Sequence, residues 1–171
     1  MQTNSKNTVG IIVVSDRVYR GERPDESGKL SMKMLSEKGF QINYYSVVTN
    51  DEDMIRESIK NCLEKADVCI TLGGTGPSPR DKTIEVASSL STKYLPGYGE
   101  IFRKLTYESD GATKAIATRT ELFVVNDKLL LCLPGSPSAV KLGITLLLDG
   151  VEHVLEELKR TDKPHRNPAS H

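Results

Sequence analysis

Four short groups of residues in this chain are unusual enough in type and position to carry chemistry, and one of them suits phosphate. They are Ser15-Asp16-Arg17, Asn50-Asp51, Gly73-Gly74-Thr75-Gly76 with Arg80-Asp81 close behind, and Pro134-Gly135-Ser136-Pro137. Three glycines within four residues let the backbone approach a ligand, and the N–H groups of such a turn can cradle an anion at the start of a following helix. A mere tight turn is served by one glycine. Asp51 and Asp81 add two carboxylates, and Mg2+ prefers oxygen ligands and readily bridges carboxylates and substrate phosphates. Each acid is equally suited to cap a helix, and capping is compatible with metal binding. Arg17, Arg80, Lys82 and Arg119 are candidate donors to phosphate oxygens, with ordinary surface charge as the alternative for each.

Two familiar phosphate loops do not match. A Walker A loop places Gly directly before Lys-Ser/Thr, whereas Asp81 precedes Lys82-Thr83. The dinucleotide fingerprint needs a glycine three positions beyond Gly76, where Pro79 stands. Histidine chemistry finds no support either: His165 and His171 fall in the tail, and His153 sits near the polar side of the last helical stretch. Cys62, Cys69 and Cys132 are widely spaced within apolar stretches, which points to buried, reduced thiols rather than a disulfide or zinc site. The inventory suits transfer of a phosphoryl or nucleotidyl group, a reaction that depends on positioning, Mg2+ and charge-stabilising donors rather than on covalent help.

Each of the four groups follows a predicted strand. Residues 9–14 (VGIIVV) form a continuous apolar run rich in β-branched side chains, as expected of a strand buried on both faces. Residues 42–48 return to strand character and 68–72 form another short buried strand, with helical periodicity at 27–38 and from the Asn50-Asp51 cap through Ile55, Ile59, Cys62 and Ala66. Such alternation implies right-handed βαβ units. Residues 83–90 and 101–108 are short helix candidates. Two further strands, 121–125 and 128–133, flank the turn pair Asn126-Asp127 and predict a hairpin. After Pro137 a long helix carries Val140, Ile144, Leu147, Val151 and Leu155 on one stripe, which Leu142 and Leu146 widen toward deeper burial or a subunit contact. The expected fold is therefore α/β in three layers, a mostly parallel sheet with helices on both faces and one antiparallel hairpin. If the strands are parallel, all four loops meet at the carboxyl edge, where open α/β sheets bind ligands.

The 171 residues fit one domain over 9–158, with a frayed, disordered start at 1–8 and a flexible basic tail at 159–171. Equal numbers of basic and acidic side chains, 23 each, argue against a general nucleic-acid binder. The start lacks an apolar signal core, and the apolar runs at 129–133 and 144–148 are too short to span a bilayer, so the expected location is the cytoplasm without membrane association.

With these residues assembled, the sequence resembles the molybdenum-cofactor biosynthesis family of MoaB/Mog type. The marks, in order, are VVSDR (13–17), TNDE (49–52), TLGGTGPSPRDKT (71–83), LPGYGE (95–100) and LPGSPSA (133–139). The segment 102–111 and the short basic tail look more like the MoaB branch. The resemblance implies a molybdopterin adenylyltransferase that joins AMP from Mg-ATP to the terminal phosphate of molybdopterin and releases pyrophosphate. It implies a catalytic and metal-binding role for Asp51 and Asp81. It further implies substrate binding by Ser15, Asp16, Gly73, Gly74, Thr75, Gly76, Glu100, Pro134, Gly135, Ser136 and Pro137, and assembly as a homotrimer or homohexamer. Within the same family, the alternative is a non-catalytic molybdopterin-binding carrier or scaffold. Thr118-Arg119 stands where many relatives have Ser-Arg, and Ser136 where the Mog branch often has an amide.

Overall fold

The structure is a computed structural model and describes residues 7–160. The predicted frayed start falls outside the described residues at 1–6, as does the predicted flexible tail at 161–171. β1 (Thr8–Val14) begins within the expected frayed segment. Its first residue is tied down: Thr8 donates to the Asp67 carboxylate through its N–H at 3.2 Å and its hydroxyl at 3.0 Å.

Two βα steps fill the first half. α1 (Asp16–Tyr19) is a single turn, α2 (Glu26–Glu37) stops before Gly39 at φ +88°, and β2 (Gln41–Val48) follows. α3 (Glu52–Lys65) leads into β3 (Val68–Leu72). The second half comprises α4 (Thr83–Leu90), β4 (Lys93–Leu95), α5 (Pro96–Asp110), α6 (Ala112–Ala117), β5 (Glu121–Val125), β6 (Lys128–Leu133) and α7 (Pro137–Leu158). The sheet order is β2-β1-β3-β6-β5-β4. β1 pairs in parallel with β2 and β3, and β3 with β6; β5 alone runs antiparallel to its neighbours β6 and β4. Asn126 makes the β5–β6 turn at φ +58°, a conformation Asn tolerates well.

Alternate residues of β1 feed opposite faces, which is why its sequence is apolar throughout. Ile11 and Val13 pack with Ile70, Leu131, Phe102 and Ile144, in the layer formed by α2, α5 and α7. Ile12 and Val14 pack with Ile55, Ile59, Val86 and Leu130, against α3 and α4. Full burial of each such aliphatic side chain contributes about 1.5–3 kcal/mol. The three thiols lie buried in the second cluster, and burial pushes that of Cys132 up to about 12.

The middle of the chain differs from expectation. α5 is longer than the anticipated 101–108 because Pro96 starts it at the first helical position, where its missing N–H and fixed φ are assets. β4 and α6 were not foreseen; Gly111, at φ +85°, separates α6 from α5. Two topological facts position the site. Parallel β6 brings Pro134–Pro137 to the carboxyl edge beside the loops that follow β1, β2 and β3. Antiparallel β5 starts at that edge too, delivering Thr118, Arg119 and Thr120 there.

Candidate functional site

The glycine-rich turn is fixed from three sides. Gly73 (φ +112°) and Gly74 (φ +70°) occupy backbone conformations that side chains disfavour, and a Cβ on Gly73 would collide with the Val14 carbonyl oxygen. Gly73 N–H donates to Leu133 O at 2.8 Å, joining the turn to the end of β6. From α4, the buried Thr83 hydroxyl donates to Gly73 O at 2.8 Å and its N–H to Gly74 O at 3.1 Å. The excursion that follows is closed by Asp81, whose Oδ2 accepts from Ser78 N–H at 3.1 Å while its own N–H donates to Ser78 O at 2.9 Å. Asp81 is half-buried and packs close enough to Gly76 that a Cβ there would lie 2.7 Å from Oδ2.

The second loop faces the first. Ser136 caps α7 by accepting from Ala139 N–H at 3.4 Å, and the buried Ser27 of α2 donates to Gly135 O at 2.6 Å. Between the loops lies a cavity of about 820 Å3. Gly74, Thr75, Gly76 and Asp81 line one side, Pro134, Gly135 and Ser136 another. Phe102, Ala139 and Leu142 add apolar wall, and Lys114 and Lys141 are exposed cations of the same lining. A mostly apolar recess with a few convergent polar groups is the usual form of a small-molecule site. Leu142 thus serves the cavity, while Leu146 lines a separate apolar groove with Leu95, Ile101 and Val154.

Of the remaining predicted residues, Asp16 and Asp51 open on one smaller hollow and Ser15 and Pro137 on another. Asp51 is exposed, caps α3 through Met54 N–H at 2.9 Å, and opens on a depression of about 370 Å3 shared with Asp16, Arg20, Asn50, Arg80 and Lys82. The Asp16 carboxylate accepts from Asn50 N–H at 2.9 Å and pairs with Arg80. The Asn50 bond, reinforced by Arg80 and opposed by burial, holds its carboxyl below the usual range. Ser15 caps α1 at Val18 N–H (3.3 Å) and lines a third hollow of about 330 Å3, which includes Arg23, Ser27, Gly135, Ser136 and Pro137. Glu100 is exposed on α5 and lines none of these three hollows. The motif around it is instead a helix start whose inward residues are Tyr98 and Gly99.

Asp51 and Asp81 therefore share an edge of the sheet without sharing a cavity. Among the described residues, no three His, Cys, Asp or Glu side chains cluster as a metal cage. Each of the two acids uses one carboxylate oxygen in a cap or turn. Asn50 Oδ1 is buried close to Gly74 without a hydrogen-bond partner. Such a sparse oxygen set fits Mg2+ as an ion that keeps waters and takes ligands from substrate phosphates. Of the basic candidates, Arg17 is exposed near Glu22, Lys82 lies 3.7 Å from Glu52, and Arg119 turns into the glycine loop. Phe102, Leu142, Ser27 and Thr83 escaped sequence reasoning: the first two sit on apolar helical stripes like any core residue, and lone hydroxyls carry no pattern.

The chain's residues 10–155 match the family model of a probable molybdopterin binding domain. The "Molybdenum cofactor biosynthesis protein B" of Bacillus subtilis (strain 168) is 38% identical over 153 residues, covering 88% of this chain and 89% of that one. Among solved structures, the tungsten cofactor synthesizing protein MoaB of Pyrococcus furiosus superposes with a TM-score of 0.85 at 34% identity, covering 91% of this chain and 99% of the other. The molybdopterin biosynthesis Mog protein of Mycobacterium ulcerans does so with a TM-score of 0.81 at 29% identity, covering 89% and 99%.

Proposed function

The chain belongs to the probable molybdopterin-binding domain family of molybdenum cofactor biosynthesis, and from that premise we propose that it is a molybdopterin adenylyltransferase. In this reaction a terminal phosphate oxygen of molybdopterin attacks the α-phosphorus of ATP. One P–O bond forms to the pterin phosphate, the bond to the bridging oxygen breaks, and pyrophosphate leaves. The observation that carries the proposal is the 820 Å3 cavity in which Gly74, Thr75, Gly76 and Asp81 face Pro134, Gly135 and Ser136. A preorganised backbone turn lowers the barrier by holding phosphate oxygens without reorganising during transfer. Phe102, Ala139 and Leu142 offer apolar surface to a flat heterocycle, and Lys141 offers charge to its anionic substituents, while Lys114 is paired with Asp110 of the same lining at 3.1 Å.

Mg2+, when bound, neutralises charge that develops on the phosphate oxygens. Asp51 and Asp81 are the carboxylates that would hold it, each with one oxygen uncommitted to its cap or turn. Oligomerisation belongs to the same proposal, with the apolar groove of about 490 Å3 between α5 and α7 as its contact face. Sedimentation of an Ile101→Glu variant tests that face: a shift to monomer is the expected outcome, and an unchanged oligomer assigns assembly elsewhere.

The central test incubates the protein with molybdopterin and Mg-ATP and measures adenylated molybdopterin by mass spectrometry. Asp81→Asn is expected to lower turnover by about two orders of magnitude, the scale of losing a charge-stabilising contact. Near-wild-type turnover in that variant removes Asp81 from the mechanism. A second reading draws on the separation of the two acids into different hollows, which a binding protein without turnover tolerates. Pterin binding with no product and no Mg-ATP binding would establish such a carrier.

A further inference from the structure

We infer that Arg119 is the positioning residue of the glycine loop, acting on the reaction through Gly76 and Asp81 rather than by touching phosphate. This rests on the proposed adenylyl transfer. Arg119 stands just before β5, far along the chain from the loop, and reaches it with both backbone and side chain. Its N–H donates to Thr75 O at 3.0 Å. Nε and Nη2 both donate to Gly76 O, at 3.0 and 2.7 Å, and Nη2 also reaches Asp81 O at 3.3 Å. Nη1 pairs with Glu85 of α4; burial opposes ionisation of Glu85, but the Arg119 bond prevails and its carboxyl lies below the usual range. Every nitrogen of the guanidinium is thus engaged, and the group is turned inward rather than toward a ligand.

The segment so held relies otherwise on the Ser78–Asp81 bonds and the Arg80–Asp16 pair. Pro77, Ser78, Pro79 and Arg80 are all exposed, so their conformation derives from tethers rather than from packing. Arg119 grips the excursion at both ends, at Gly76 and at Asp81, where a planar fork supplies several donors at once and an ammonium supplies a single point charge. Peptide planarity adds a second effect. In a trans peptide the C=O and N–H point in opposite directions, so fixing Thr75 O toward Arg119 turns the Gly76 N–H away from it. The Arg119 backbone thus turns a candidate anion-binding amide, a bond that side-chain substitution leaves in place, while its guanidinium fixes the positions of Gly76 and Asp81, which line the same cavity.

The test compares wild type, Arg119→Ala and Arg119→Lys as full-length proteins. Steady-state adenylation is measured alongside thermal unfolding and backbone amide exchange across residues 76–82. The expected result for Arg119→Ala is a loss of kcat of about 100-fold, the scale of a misplacement near 1 Å. KM for molybdopterin should change by less than about threefold, since uniform ground-state binding is not what is lost. Amide exchange at 76–82 should rise, added guanidinium ion should restore part of kcat, and Arg119→Lys should remain impaired. A raised KM with kcat intact, or full recovery in Arg119→Lys, would overturn the inference in favour of a direct phosphate contact. Lost thermal stability with no guanidinium rescue of kcat would overturn it in favour of a merely structural tether. If the wild-type protein makes no adenylated pterin, the adenylyltransferase proposal fails separately. The exchange experiment then decides alone: faster exchange at 76–82 in Arg119→Ala supports the positioning role, and unchanged exchange refutes it.

Discussion

The loop at 73–76 and the loop at 134–137 look like variants of one device, each a glycine-containing turn between a parallel strand and a helix. They are built on different principles. The first adopts two left-handed backbone conformations and is tethered by β6, Thr83 and Arg119. The second has no positive-φ residue; it is a helix start, with Ser136 as cap, Pro137 at the first position and one added bond from Ser27. Gly73 is required by its backbone angles and by the Val14 carbonyl, whereas a Cβ on Gly135 would come no nearer than 3.5 Å to Gly73 Cα, an ordinary contact. Composition alone does not distinguish a turn whose amides are preset from one that mainly launches a helix.

Four substitutions probe that difference. Gly73→Ala should have the largest effect, destabilising by on the order of 3 kcal/mol through backbone strain and collision, measured by denaturant unfolding. Thr83→Val should cost about 1–3 kcal/mol in the same assay, because it strips the buried Gly73 carbonyl of its hydroxyl donor. Ser27→Ala removes the corresponding bond at Gly135 and should cost about 1 kcal/mol. Gly135→Ala should remain within about 0.5 kcal/mol of wild type. Equal losses for the two glycine variants would erase the distinction between the loops; a Ser27→Ala loss exceeding that of Thr83→Val would invert it.

Much of the framework is readable from local pattern. Residues 83–90 satisfy helical periodicity and become α4 with the same ends, and the turn pair Asn126-Asp127 makes the predicted hairpin. β4 was illegible because three residues at a sheet edge are too few to display a period. The start of α5 was hidden by Pro96, Gly97 and Gly99, which suggest a loop. Gly99 is nevertheless accepted in the helix because a Cβ would strike the Glu121 side chain and lie 2.7 Å from Thr120 O. The motifs of the site were legible for the same reason as the strands, since each lies at the end of an apolar run. Which hollow each residue opens into was not. That depends on how α5 and α7 pack over the edge, and it separates Asp51 from Asp81 and leaves Glu100 outside.

The pairing of β3 with β6 bears on how the protein is made. The strands β1, β2 and β3 pair with one another and can organise early, although α2 still awaits its packing against α7. The glycine turn gains its bonds to Arg119 only after α4, β4, α5 and α6 have been synthesised, and its bond to Leu133 only after both hairpin strands as well. Loop-closure entropy further delays such distant contacts relative to local ones. A nascent chain carrying the full glycine motif is thus still without the assembled cavity, which forms late in translation, as β6 slots in beside β3.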